Sequence, residues 1–206
     1  MSTDYTLSYG THATPDQGRC AMEWVSHLAG EPHTDQPECV SPVVRAFCIA
    51  LNDGLEDGPR QRLRPYLTRT IGTADDGFDH QRAWMAMDWL IRTYTPTWLA
   101  AAGLDDAANR LWSLSEVTSA DGLPAASDAL RLARHHARGA WGAGPVTWLA
   151  TGVGARATAR EALAPTLEAL QHSALGLLEL MLPTVALKAP VAGRAELFGA
   201  AVAVQV

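Results

Sequence analysis

The feature that most constrains this chain is its punctuation. Cap and turn residues recur at helix-length intervals from end to end, while alternating apolar and polar runs of the β type are nearly absent. The pattern predicts an all-α fold. Ser41 stands as an N-cap with Pro42 at the first helical position, and Asn52 to Gly54 supply the stop. Within that element Val43, Phe47 and Ala50, and beside them Val44, Cys48 and Leu51, fall at helical spacing, so a broad face is buried and Cys48 belongs to the core. An earlier helix is expected from Gln17 to Ala29, closed by Gly30 with Pro32 just beyond.

Downstream, "DGPRQRLRPYLTRTIG" reads as a basic helical segment broken or restarted at Pro65 and ended by Gly72. "DHQRAWMAMDWLIRTYT" is apolar on nearly every side from Ala83 to Ile91, which predicts a helix in the middle of the fold. Thr95 and Pro96 start a short helix, "DDAANRLWSLSEV" supplies another, and "LPAASDALRLARHHARG" a third that should close at Gly139. After the short "GPVTWLATG" segment comes the longest helix, from Arg156 to Leu182. Its Leu163, Leu167, Leu170, Ala174, Leu177 and Met181 form a seam, read as packing inside one bundle, with a homodimer as the alternative. The expectation is one irregular helical bundle of about seven or eight helices over residues 1–206. Residues 1–15 form an N-terminal arm in this reading, and 184–206 a tail that either docks or stays partly disordered.

Composition narrows the function classes. With 206 residues, 48 % of them hydrophobic and 18 % charged, the chain can build a real core. A net charge of -6 speaks against general nucleic-acid binding, which needs a basic surface. The opening "MSTDYTLSYG" has neither a basic nor an apolar region of a signal peptide, and the longest apolar run, "SALGLLELML", carries Glu179 and is too short to span a bilayer. A cytoplasmic protein with no membrane or nucleic-acid partner is expected. Three cysteines without a repeating spacing suggest reduced thiols.

Chemistry concentrates in "CAMEWVSHLAGEPHTDQPEC", which holds two cysteines, two histidines and four carboxylates between Cys20 and Cys39. Cys20, Glu23 and His27 share one helical stripe, and the turn then presents His33 and Asp35. Glu23, His27 and His33 form a ligand set for a divalent metal; with Asp35 they form an acid-base group instead. The same stripe is also what a solvated helix face would look like. Asp88 is the second candidate, a carboxylate among apolar neighbours on a His80, Trp84, Asp88, Arg92 ridge. It serves either as an ion-pair partner of Arg92 or as orienter or general base in a pocket. "RLARHHARG" gathers Arg131, Arg134 and His135 near a helix C-terminus, where cations favour the dipole, or where an anionic cofactor could be held. "GVGARA" follows no strand and lacks the P-loop lysine, so no phosphate loop is read there. The seven tryptophans are read as core and pocket wall.

"GRCAMEWVSHLAGE" followed by "DQPECVSPVVRAFCIALND" resembles a group of helical proteins from high-GC actinobacteria and bacteriophages that share a Cys/Met-rich first helix, a D-x-P turn and an S/H-P-V start to the second helix. The likeness covers about the first fifty residues, with a general similarity in "HSALGLLELML". It implies that the opening stretch is a family signature, one that could serve folding alone, and it carries over no catalytic residue. The functional expectation is a small helical enzyme with a Trp-walled pocket. There Glu23, His27, His33 and Asp35 would do acid-base or metal-assisted chemistry on a small molecule or peptide, with actinobacterial secondary metabolism as the setting the resemblance suggests. The alternative is a non-catalytic interaction or ligand-binding protein.

Overall fold

The structure, a computed structural model, describes residues 5–142 and 153–183, with the backbone alone for 139–142 and 153–160. The "GPVTWLATG" segment and the tail from residue 184 lie outside the described residues. Among those described the chain is helical and contains no strand, so the protein is all-α.

The ends of the first two helices are set by their caps and the glycines beside them. Helix α1 (Ala21–Ala29) is shorter than its sequence suggests, because Gly18 at φ 123° interrupts the chain after a 3-10 turn at Pro15–Gln17. Cys20 then caps it: its sulfur accepts from Glu23 N while the Glu23 carboxylate reaches back to Cys20 N, a capping box with a thiol in the place of a hydroxyl. Gly30 closes it in the left-handed conformation at φ 76°. Helix α2 (Pro42–Gly54) has the expected Ser41 cap and Pro42 start. After α3 (Asp57–Arg60), α4 (Arg64–Thr70) places Pro65 in its first turn, where the missing N–H costs nothing.

Helix α5 (Asp79–Trp89) runs into a π-helical turn over Leu90–Tyr94 before α6 (Thr95–Ala101). Thr95 N–H bonds Leu90 O, five residues back, and the cause lies one residue further on. Pro96 has no N–H to offer the preceding turn and its ring crowds that turn's carbonyl, so the ladder widens there. The expectation that Ala83 to Ile91 is buried all round is not met. Met87 and Leu90 are exposed, and the one fully buried residue of α5 is Arg82. Helices α7 (Asp105–Trp112), α8 (Leu123–Gly142) and α9 (Val153–Met181) follow among the described residues; α8 passes through Gly139 rather than ending there.

The helices build two cores. In the first, Met22 and Val25 of α1, Val44 and Cys48 of α2, Leu63 and Leu67 around α4, and Leu175 and Leu178 of α9 pack together. Full enclosure of each large side chain contributes roughly 1.5–3 kcal/mol. In the second, Ile91, Leu99, Ala108, Leu111, Val117 and Ala133 join the π turn to α6, α7 and α8. Arginines tie the C-terminal end of α9 into the first core: Arg82 Nε donates to Met181 O (2.8 Å), a carbonyl that the helix end leaves open, and Arg69 Nε to Pro183 O just beyond it (3.0 Å). The C-terminal four of the six residues of the expected seam, Leu170, Ala174, Leu177 and Met181, are buried, whereas Leu163 and Leu167 are exposed. Among the described residues no helix is long and apolar enough to cross a membrane.

Candidate functional site

The polar centre of the molecule is Glu23, whose side chain is 1 % exposed. Helical side chains lean toward the N-terminus of their helix, so the Glu23 carboxylate folds back over the start of α1. There it meets the loop that precedes it. Oε1 accepts from His12 N (2.6 Å), and Oε2 accepts from Cys20 N (2.7 Å) and from His12 Nδ1 (2.8 Å). His33, from the loop after α1, brings Nε2 to 3.8 Å from Oε1 and donates to His12 O at 2.9 Å. Two loops and a helix start are thus gathered on one carboxylate.

Burial on its own would raise the carboxyl's proton affinity. The N–H of His12, the N–H of Cys20 and the His12 ring outweigh that and hold Glu23 below its ordinary value of 4.5. Glu23 is therefore ionised at neutral pH and acts only as an acceptor. It follows that the His12 ring carries its proton on Nδ1, leaving the lone pair on Nε2. His12 keeps 12 % of its side-chain surface and His33 19 %, against 1 % for Glu23. Gly18 completes the arrangement. A side chain there would put its Cβ 3.0 Å from His12 Nε2 and 2.8 Å from Ser8 Oγ, so only glycine lets the chain pass this close, and the Ser8 hydroxyl and His12 Nε2 approach the same spot.

The residues singled out in the sequence separate into groups. Glu23 and His33 come together as expected, but His27 does not join them. It is exposed one turn further along α1, edge-on to Trp24 with ring centroids 5.5 Å apart, on the end of the helix away from the carboxylate. The ligand set of Glu23, His27 and His33 is accordingly not assembled, and among the described residues no group of three or more His, Cys, Asp or Glu is placed to hold a metal. Asp35 is half-buried on the following loop and forms no ion pair with these histidines.

Asp88 has the structural partner its spacing suggested. Arg92 Nε and a terminal nitrogen donate to its two oxygens at 2.7 and 3.0 Å, and Val117 N adds a third bond at 2.8 Å. The pair clamps the 114–117 loop to the π turn. On α8, Arg131 pairs with Asp128 at 2.8 Å in full solvent, and Arg134 and His135 are exposed. The thiols are buried or half-buried and free, and burial first of all pushes each up to about 12.

His12 is the residue the sequence reading missed. It lies in an irregular loop, where no periodicity marks it. The available signal was the C-x-x-E spacing at Cys20–Glu23, which reads as a capping box and so turns the carboxylate toward the preceding chain.

A separate cleft of about 790 Å³ lies between α2, the α5–α6 region and α9, with Trp89 and Trp98 in its wall. None of Glu23, His27, His33, Asp35 or Asp88 lines it. Helix α2 stands between the two features: Asn52 faces α1 and binds Ala21 N at 3.1 Å, whereas Ala46 and Ala50 face the cleft. The tryptophan-walled cavity and the Glu23 group are thus two places, not one pocket. Comparison with family models, with curated proteins and with solved structures returned no match.

Proposed function

We propose that this chain is a small helical enzyme whose acid-base centre is the His12–Glu23 pair, acting on a small molecule or peptide. The observation that supports the reading is a buried, ionised carboxylate at 2.8 Å from Nδ1 of a partly accessible histidine. A carboxylate so placed fixes the ring's tautomer and orientation and stabilises the imidazolium that forms when Nε2 takes a proton. His12 Nε2 is the general base, and Glu23 is a positioning residue that stays ionised throughout. A water or substrate hydroxyl bonded to Nε2 would lose its proton to His12 as it attacks, and the same proton would then pass to the leaving group. His33, donating to His12 O, anchors the loop that carries the base.

The test is turnover of a panel of p-nitrophenyl esters, p-nitrophenyl phosphates and peptide p-nitroanilides by wild type and His12→Gln. The expected result is activity on one class, lowered by roughly 10²–10⁴-fold in the variant with its melting temperature retained, the range for a positioned acid-base group. A His12→Gln protein as active as wild type, or no turnover of any class by wild type, overturns the proposal.

A further inference from the structure

The cleft described above is a different site, and nothing in the His12–Glu23 reading uses it. We infer that it is a binding site for an uncharged aromatic small molecule.

Its walls are of two kinds. Along α2, Pro42, Ala46, Ala50 and Gly54 succeed one another at four-residue spacing, which gives one wall a row of small side chains. The other wall carries Trp89, Tyr94 and Trp98. In a regular α-helix, residues five apart diverge by more than a quarter turn, so Trp89 and Tyr94 would point different ways. The π turn over Leu90–Tyr94 closes that gap: Trp89 and Tyr94 have ring centroids 5.3 Å apart, and Tyr94 and Trp98 6.3 Å. A widened turn is an unfavourable insertion in a helix and recurs at functional sites. Here its effect is to line three rings along one cavity wall. Trp89 is held in place by its N–H bond to Ser173 Oγ at 2.9 Å, outside the lining, and by edge contact with Phe47, which lines the cleft beside it.

The chemistry of the lining selects the ligand. None of the lining residues is charged, and Gln171 offers the one amide, so an ion would forfeit its hydration without gaining a partner. The volume of about 790 Å³ lies within the range of small-molecule sites, roughly 300–1,000 Å³. The aromatic wall favours a ring system, which gains offset or edge stacking beyond simple burial. Leu90, Tyr94 and Leu167, 46 %, 40 % and 38 % exposed, stand where apolar surface remains open to a ligand.

The experiment is fluorescence titration of the full chain with N-phenyl-1-naphthylamine, an uncharged aromatic probe, against wild type, Ala46→Phe and Ala50→Phe. Both alanines are exposed in the cleft, so a larger side chain fills it without disturbing either core. Saturable binding of one probe per chain is expected, weakened at least tenfold by either substitution at unchanged melting temperature. If one variant fails to fold, the other carries the comparison. Absence of saturable binding, or affinity unaltered in a folded filled variant, overturns the inference. Sedimentation velocity on the same samples identifies the competing occupant: a wild-type dimer that both substitutions convert to monomer, with no probe bound, assigns the cleft to a second copy of the chain and refutes the ligand site.

Discussion

Replacing Glu23 by glutamine separates the charge from the shape of the side chain. The carboxylate accepts from His12 N, His12 Nδ1 and Cys20 N with 1 % of its surface exposed, so water cannot take over a lost contact. Glutamine keeps one acceptor oxygen. If that oxygen stays on His12 N–H, the new NH₂ group faces the Cys20 N–H, donor against donor. His12 can respond by moving its proton to Nε2 and accepting at Nδ1, but the Cys20 amide has no such freedom. The loss is one charge-assisted bond, about 1.5–3 kcal/mol, together with a stranded buried N–H at about 1–3 kcal/mol. A total of roughly 3–5 kcal/mol is expected, a large fraction of the ~5–15 kcal/mol that holds a typical protein folded. For a chain of this size each kcal/mol moves the melting temperature by about 2–4 °C, so Glu23→Gln should melt roughly 6–20 °C below wild type at pH 7. The pH dependence provides a second check. Because folding holds the Glu23 carboxyl below its ordinary 4.5, its contribution is fully present above that pH and is lost as the pH falls through the folded value. Calorimetric melts should therefore show the gap between wild type and variant narrowing below pH 4.5. A gap under about 1 kcal/mol at pH 7, or one that widens on acidification, would mean that the buried carboxylate does not hold these three donors as an ion.

Two further outcomes follow from the same geometry. Asp88→Asn keeps one of the oxygens that hold Arg92 and Val117 N, and both partners of the ion pair keep 17 % and 28 % of their surface, so solvent screening limits the loss to about 1–2 kcal/mol in thermal melts. A loss above about 3 kcal/mol would mean that the pair is desolvated as a fully buried one is. The three thiols, pushed up to about 12 chiefly by burial, stay protonated at pH 7.5. Mass spectrometry should find native protein largely unmodified by iodoacetamide over a period in which urea-unfolded protein takes up three adducts; rapid native labelling of Cys20 or Cys48 would contradict its buried placement.

Much of the fold was legible because helix ends are written in local chemistry. Ser41, Pro42 and the Asn52–Gly54 stop mark α2 in the sequence and bound it in the structure. Pro65 restarts a helix as read. What escaped was set by contacts between segments. The sequence marks the end of α1 at Gly30 but not its start, expected near Gln17: Gly18 must adopt φ 123° so that the chain can pass His12 and Ser8, and the helix begins three residues after it, at Ala21. Asn52 was read as a stop signal; it also binds Ala21 N and Ser8 O, fastening the arm and α1 to α2. The apolar run around Asp88 suggested a central helix because periodicity reports how apolar an element is, not how much of it the rest of the chain covers. Among the site residues, Glu23 is marked by its helical stripe and His33 by the turn that follows Gly30, while His12 is marked by neither: an irregular loop has no period, and its place beside Glu23 is decided by where the chain returns.

Glu23 fixes His12 with its proton on Nδ1 and an available lone pair on Nε2. Long-range ¹H–¹⁵N correlation of the histidine rings, recorded on wild type at a pH where His12 is neutral, reads the tautomer directly. His12 is expected in the Nδ1–H form, with Nε2 showing the shift of an unprotonated ring nitrogen. Finding His12 in the Nε2–H form in wild type would contradict it, because the nitrogen assigned as the base would then have no lone pair to accept a proton.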